Sequence, residues 1–256
     1  MPMNPRLLRP LATRGLDADA RTYIAAVEAA DGETLEQGVK TAINDFITGC
    51  KSDGIWDSIK ASCILAGART LAGALVPLVG TAPTNNNFAE AVYNRETGLV
   101  GDGSTTYLDS NRANDDDPQD DKHLSVYRSV AATNDAGLLG SNGTTTGHSH
   151  IYTGFGSFNF RMNAATSQTQ SLSLNTGAVF LGASRDAAAS FGYRIGGTGY
   201  TATVTSETPN GNNIRVFETG GKTDARIAFY SIGESLDLAA LDARVSALVT
   251  AIGNAI

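Results

Sequence analysis

The sequence predicts a mainly β fold, in which a sandwich of short strands follows a helical region and precedes a C-terminal amphipathic helix. Short runs with strand character occupy the middle of the chain, and clusters of Gly, Asn, Asp and Ser separate them. Short strands separated by such turn-forming residues are typical of a sandwich rather than of alternating βαβ units. A helical period is found only before residue 82 and after residue 234.

The composition agrees with that fold class. The chain has 256 residues, which is enough for one sizeable domain with helical additions and a real hydrophobic core. Only 18% of the residues are charged and 28 are glycine, so Ser, Thr, Asn and backbone should dominate the surface. The net charge of -7 argues against duplex nucleic acid as a partner, because phosphate neutralisation needs clustered Lys and Arg.

Residues 1–16 are predicted to form an extended arm. Three prolines interrupt regular hydrogen bonding there, and three arginines could dock on an acidic neighbour. The arm lacks the apolar stretch of a signal peptide, and residues 61–80 contain too many small residues to span a membrane. We therefore expect a protein that is kept soluble, without membrane insertion.

Residues 17–82 are predicted to be helical. Asp17 or Asp19 can cap a first helix, and the pair Asp31-Gly32 can end it. A second helix is expected to start near Glu33, because apolar residues recur at steps of 4, 4, 3, 1 and 3. Its apolar stripe consists of Leu35, Val39, Ile43, Phe46, Ile47 and Cys50.

A third, short helix is expected to carry Ile55, Trp56 and Ile59, with Trp56 in the core. Turn residues at 82–87 then mark a domain boundary, because the helical period stops there. The two cysteines, at positions 50 and 63, show no metal-ligand spacing and are expected to be buried free thiols, with a disulfide as the alternative.

Residues 88–233 are predicted to form the sandwich. Gly101-Asp102-Gly103 marks a tight turn, since Gly takes positive φ without steric cost, and Ser104–Asp109 then alternates as a strand does. In the last strand, Ile227 and Phe229 are expected to share one face. Further runs with strand character are His123–Val130, Ile151–Met162, Ser171–Leu181, Phe191–Ile195, Tyr200–Ser206 and Asn213–Glu218.

Residues 234–256 are predicted to form an amphipathic helix. Its apolar stripe consists of Leu238, Leu241, Val245, Leu248, Val249 and Ile252. Its other face is expected to carry Asp237, Asp242, Arg244 and Thr250. Burial of such a stripe is too favourable for it to remain in water, and we expect it to cover its own domain rather than a neighbouring copy.

Two segments resemble the edges of a known fold. Residues 93–112, YNRETGLVGDGSTTYLDSNR, resemble the opening strand pair of concanavalin A-like or laminin-G-like jelly rolls, and residues 225–233, ARIAFYSIG, resemble their closing strand. Together with the helical N-terminal part, the leader NPRLLRP and the closing helix, the chain resembles virion structural proteins of tailed bacteriophages.

That resemblance implies a non-enzymatic virion protein, made in the host cytoplasm and displayed on the tail as part of a fibre or baseplate. Its partners would be other virion proteins and further copies of itself, with a host-surface glycan as an additional ligand. The alternatives are a capsid decoration or cement protein and a stand-alone carbohydrate-binding, lectin-like module.

Two short motifs suggest metal sites, and each has a simpler interpretation. Asp115, Asp116 and Asp117, with two more aspartates at 120 and 121, could converge on calcium, but they lack the spacing of a calcium loop and favour a solvated turn. His148 and His150 would lie on one side of an extended segment, although no nearby carboxylate supports them as ligands. We predict neither a metal site nor a cofactor.

No catalytic pattern is present. Glycoside hydrolases on this fold would show paired carboxylates on one strand, whereas Glu207, Glu218 and Glu234 stand alone. A sandwich can instead bind glycans, because sugar rings stack on aromatic side chains and amides bind hydroxyls. The candidates for such binding are Tyr152, Phe155, Asn159, Asn210 and Asn212. The aromatic residues among them could equally pack on a strand face.

Overall fold

The structure is a computed structural model that describes residues 15–141, 146–154, 156–171 and 177–256. The predicted arm lies almost entirely outside these ranges. The helices are α1 (Ala18–Asp31), α2 (Gln37–Ser52), α3 (Leu71–Ala74) and α4 (Leu238–Gly253). The strands are β1 (Ile59–Ile64), β2 (Thr84–Asn86), β3 (Tyr93–Asn94), β4 (Gly98–Val100), β5 (Tyr107–Ala113), β6 (Lys122–Val130), β7 (Ala136–Ser141), β8 (His148–Gly154), β9 (Ser157–Ala164), β10 (Gln168–Ser171), β11 (Val179–Ala187), β12 (Ser190–Ile195), β13 (Thr198–Ala202), β14 (Asn213–Val216) and β15 (Arg226–Gly233).

Two antiparallel sheets form the sandwich. Sheet A has the strand order β13-β12-β11-β6-β15-β4-β3, and β1 also pairs with β15. Sheet B has the order β10-β9-β8-β7-β14-β5-β2. The inner faces of both sheets share one apolar core, which includes Leu124, Phe160 and Ile227. The predicted mainly β sandwich with helices at both ends is therefore confirmed.

A second apolar core lies on the outer face of sheet A. There α1, α2 and α4 pack against side chains of β11 and β15, and the rings of Phe46 and Phe229 meet edge to face at 5.5 Å. The expectation that Ile227 and Phe229 share a face is wrong. A β-bulge between them pairs Ile227 with Arg128 but Phe229 with Tyr127, so Ile227 faces the sandwich and Phe229 faces the helices.

The predicted residues at both ends of the first helix are confirmed. The side chain of Asp17 caps α1 by accepting a hydrogen bond from the Asp19 N–H at 2.9 Å, and Gly32 ends the helix at φ 70°. The second helix begins at Gln37 rather than near Glu33. The Leu35 N–H donates to a carboxylate oxygen of Glu28, which holds that residue in the connection before the helix.

The predicted third helix is replaced by strand β1. Ile59–Ile64 pairs with β15 along the edge that β4 leaves open, and Trp56 lies in the turn before it. Strand pairing of this kind joins residues far apart in sequence, so the local spacing of apolar residues does not predict it. Strand β1, from the N-terminal side of the predicted boundary at 82–87, therefore takes part in the sheets, and so does β2, which lies within that boundary.

Two strand predictions also need correction. Strand β5 begins at Tyr107, because the Asp102 carboxylate accepts hydrogen bonds from the N–H groups of Ser104, Thr105 and Thr106 and holds them in the turn. The single run predicted for Ile151–Met162 is a hairpin of β8 and β9. The predicted free thiols at positions 50 and 63 are found buried, and burial raises the pKa of each to about 12.

The C-terminal helix packs intramolecularly, as expected. Asp237 caps it, and its stripe lies against α2 and sheet A. The stripe members buried there are Leu241, Val245, Leu248 and Ile252. The expectation that Asp242 faces solvent is wrong: its side chain is buried and forms an ion pair with Arg194 of β12 at 2.7 Å.

Changing Leu241 and Leu248 together to Asp should lower the melting temperature of the isolated chain strongly. Truncating one buried leucine typically costs about 2–5 kcal/mol, and a buried charge adds to that cost. The matched control changes the exposed Ala243 and Ala247 to Asp and should melt close to the wild type. An unchanged melt for the leucine pair, with only the oligomer mass reduced in light scattering, would contradict intramolecular packing.

Candidate functional site

Among the described residues, the helical layer leaves one sheet face uncovered. The apolar cluster that the helices form contains residues of sheet A and no described residue of sheet B. The outer face of sheet B is lined by polar and aromatic side chains, and we call it the polar face. Its members are Tyr107, Asp109, His150, Tyr152, Asn159, Arg161, Thr169 and Arg215.

Strand pairing sets a first row across the polar face. Arg161 of β9 lies directly opposite His150 of β8, which lies opposite Gly140 of β7. The row continues through Arg215 of β14 to Asp109 of β5. Neighbouring strands are about 4.8 Å apart, so the row places the side chains of Arg161 and His150 side by side, and those of Arg215 and Asp109 side by side, with Gly140 between the two pairs.

A second row contains two of the predicted glycan-binding residues. Tyr152 lies directly opposite Asn159, and Asn159 lies opposite Thr169 of β10. The Thr169 hydroxyl donates to the Asn159 side-chain oxygen at 2.5 Å, and the Tyr152 ring lies 6.3 Å from the ring of His150. Both predicted residues are partly exposed, so an aromatic ring and an amide stand side by side on this surface.

The other predicted residues do not join them. Phe155 lies outside the described residues. Asn210 and Asn212 belong to the loop before β14, where the Asn210 N–H donates to the carbonyl oxygen of Gly147. Gly147 precedes Tyr152 by five positions, which is roughly 16 Å along an extended strand. The structure thus separates the asparagine loop from the Tyr152 and Asn159 pair.

His148 and His150 share one side of β8, with their ring centroids 5.2 Å apart. Arg161 Nη1 lies 3.1 Å from His148 Nε2, and the Ser167 hydroxyl lies 3.1 Å from His150 Nε2. Burial lowers the pKa of His150 to about 3, so this imidazole is neutral at neutral pH. Among the described residues no group of three His, Cys, Asp or Glu side chains could hold a metal ion.

The acidic run does not form a common site. Asp117 is buried and pairs with Arg112 and with Lys122, the latter at 3.2 Å. Asp116 accepts a hydrogen bond from the N–H of Ala113 at 2.8 Å. The expected solvated turn is therefore wrong for Asp117. Nothing local in the sequence signalled the pair, because a lysine inside an apolar strand is normally exposed.

Replacing Asp117 with Asn should destabilise the fold by about 3–5 kcal/mol, because it leaves the charge of the fully buried Lys122 without its carboxylate. Replacing the exposed Asp115 with Asn is the matched control, with an expected change within about 0.5 kcal/mol. Urea unfolding measures both. Equal stability of the two variants would show that the ion pair contributes nothing that a neutral amide cannot supply.

The isolated glutamates are each engaged in a separate interaction. Glu207 accepts a hydrogen bond from the Gly147 N–H at 3.1 Å, and Glu218 pairs with Arg215 at 3.1 Å. Glu234 pairs with the lysine of β1. Each glutamate therefore has a different partner, and the three do not form a pair of carboxylates at one site.

A serine and histidine contact was missed by sequence reasoning. His123 Nε2 lies 2.9 Å from the Ser231 hydroxyl, and its Nδ1 lies 2.6 Å from the carbonyl oxygen of Glu234. Both side chains are fully buried on sheet A, and burial lowers the pKa of His123 to about 4. A substrate cannot reach this pair, which connects neighbouring strands instead.

The cavities on the helical side of the described structure include two open ones. One of about 460 Å³ is lined by α1, Trp56 and Asp57, so the chain's single tryptophan is partly exposed rather than in the core as expected. The ammonium of Lys51 lies 5.8 Å from its ring centre. The other, of about 490 Å³, lies beside Gly192 and the start of α4. Within the described ranges no helix is both long and apolar enough to cross a membrane.

No protein-family model and no curated protein matches this sequence. Solved structures do match the fold. The binding domain of botulinum neurotoxin serotype D aligns with a TM-score of 0.54 at 12% identity, over 75% of this chain and 51% of that chain. The receptor binding domain of the botulinum neurotoxin C/D mosaic serotype aligns with a TM-score of 0.51 at 10% identity, over 75% and 51%.

A Trypanosoma rangeli sialidase mutant aligns with a TM-score of 0.50 at 8% identity, over 83% of this chain and 39% of that chain. The chain thus spans about half or less of the length of these structures. These alignments agree with the predicted mainly β sandwich that the two antiparallel sheets form. At these identities the likeness shows the fold alone.

Proposed function

We propose that this protein is a non-enzymatic glycan-binding module, and that the polar face of sheet B binds the sugar. The observation that supports this most strongly is the division between the two sheets. Helices occupy the outer face of sheet A, while the outer face of sheet B presents Tyr152, Asn159 and Arg161 to solvent.

The chemistry of these side chains suits a carbohydrate. A tyrosine ring offers an apolar surface for the C–H groups of a sugar ring, and an amide both donates to and accepts from hydroxyl groups. Strands hold the side chains in place, so little conformational entropy is lost when a ligand binds. Tyr152 and Asn159 are direct cross-strand partners, and we assign them the central contacts.

The descriptions of the structural neighbours agree with a binding role. Two of them are described as a binding domain and a receptor binding domain of botulinum neurotoxins, and a third as a sialidase with trans-sialidase activity. These descriptions belong to those proteins, which are longer than this chain. They make attachment to a glycan a reasonable function to test on the shared jelly roll.

For the biological setting we propose a virion protein of a tailed phage, displayed on the tail and assembled in several copies with other virion proteins. This part of the proposal rests on the sequence resemblance, and glycan binding would then serve attachment to the host surface. A capsid decoration protein and a stand-alone lectin-like module are the alternatives. Locating the protein in particles by cryo-EM separates the three.

The binding proposal is tested on a glycan array with the full chain. The wild type should bind a subset of glycans, and both Tyr152→Ala and Asn159→Ala should weaken that binding about tenfold or more, the loss expected for one good contact. Asn212→Ala, in the loop far from this pair, is the matched control and should bind as the wild type does.

Loss of binding in Asn212→Ala alone would move the site to the asparagine loop. Absence of binding to every glycan would overturn the proposed function. Turnover of a bound polysaccharide, abolished by changing Glu207, Glu218 or Glu234, would show an enzyme instead.

A further inference from the structure

Arg161 differs from Arg215, the other cation among the members of the polar face, in forming no ion pair with a described residue. No carboxylate lies within ion-pair distance of its guanidinium in the described part of the chain. The residues outside the described ranges include no Asp or Glu, so none of the chain's 26 acidic side chains pairs with it.

The neighbouring cations are neutralised within the same surface. Arg215 lies 3.1 Å from Glu218 and 3.9 Å from Asp109, and Lys222 lies 3.5 Å from Glu218. Both cations also lie over the ring of Tyr107. The two ends of the first row therefore differ: Arg215 forms ion pairs, whereas Arg161 forms none among the described residues and feels the charge of Glu207 only from beyond ion-pair distance.

The Arg161 guanidinium is held in a fixed position. Its Nε donates to the carbonyl oxygen of Ala164 at 2.5 Å, and its Nη1 lies 3.1 Å from His148 Nε2. The second terminal nitrogen, Nη2, has no hydrogen-bond partner among the described residues. A side chain fixed on one edge by the protein keeps its other edge for a ligand at little cost in entropy.

The adjacent imidazole does not compete for an anion. Burial lowers the pKa of His150, with the nearby His148 and Arg161 acting in the same direction, so the ring stays neutral. Burial also lowers the pKa of Arg161, and the nearby charge of Glu207 acts in the opposite direction. The guanidinium stays protonated, as it does in proteins generally. The β9 end of the row thus offers a cation, Arg161, beside a neutral aromatic ring, His150.

We propose that the polar face selects acidic glycans, with the carboxylate of a uronic or sialic acid residue bound by Arg161. The inference rests on the proposed function and specifies its ligand. The Tyr152 and Asn159 row lies two residues from the Arg161 and His150 row along each strand, roughly 7 Å away. A sugar whose ring contacts Tyr152 and Asn159 can therefore reach Arg161 with its carboxylate.

The test uses the full chain with matched ligand pairs, namely sialyllactose and oligogalacturonate, each compared with its own methyl ester by isothermal titration calorimetry. At least one acid should bind about tenfold or more tightly than its ester, because the charge-assisted hydrogen bond is lost on esterification. Binding of that acid should weaken with added salt.

Variants assign the effect to Arg161. Arg161→Gln should bind the acid and the ester equally weakly, whereas Arg161→Lys should keep part of the preference because it keeps the charge. Arg21→Gln removes an equal charge from an exposed site on α1 and should retain the full preference. Melting curves of the three variants show whether each is folded, and the comparison of acid with ester in the wild type needs no variant.

Equal binding of acid and ester by the wild type would overturn the inference. If Tyr152→Ala and Asn159→Ala still abolished that binding, the proposed glycan function would nevertheless stand. A preference for the acid that survives in Arg161→Gln would place the carboxylate elsewhere. Failure to bind any glycan would overturn both proposals together.

Discussion

Strand β15 is apolar on both faces, and the rest of the architecture depends on that constraint. Ile227 and Tyr230 face the inner core of the sandwich, while Ala228 and Phe229 face the helices. A strand of this kind cannot leave either side in water, so sheet A needs a layer on its outer face. Helices α1, α2 and α4 supply that layer and make the terminal regions part of one fold.

The same constraint determines where a ligand can bind. Sheet B has alternating strands, in which Phe158, Phe160 and Met162 point inward while Asn159 and Arg161 point outward. Its inner face completes the core, and its outer face needs no cover because its residues are polar. The division into one covered and one open sheet therefore follows from the side chains of β15 and β9.

Local signals in the sequence predicted the elements that depend on local physics. The cap at Asp17, the left-handed Gly32 and the stripe of α4 are short-range features, and the structure shows all three. The pairing of β1 with β15 and the bulge at Ala228 depend on contacts between residues far apart in sequence. The buried ion pair of Asp242 with Arg194 is of the same kind, since each charge is stable only where the other is placed.

The candidate site was predicted only in part, because its geometry also depends on contacts between residues far apart in sequence. Tyr152 and Asn159 were chosen as side chains that suit sugars, but their direct pairing requires the register of β8 on β9. Asn210 and Asn212 matched the same chemistry, yet the fold places their loop at the other end of β8. Sequence reasoning missed Arg161, although the alternation around Phe160 indicates that it points outward. Whether an arginine forms an ion pair depends on residues from other strands and can be seen only in three dimensions.

Hydrogen–deuterium exchange of the full chain, with and without a bound glycan, tests the central claim most directly. Binding on the open face of sheet B should slow amide exchange in β8, β9 and β10 and leave α1, α2 and α4 unchanged, because the ligand contacts one sheet and not the helical layer. Protection confined to the helices, to the cavity beside Trp56 or to the start of α4 would contradict the account and place the site on the covered side of the molecule.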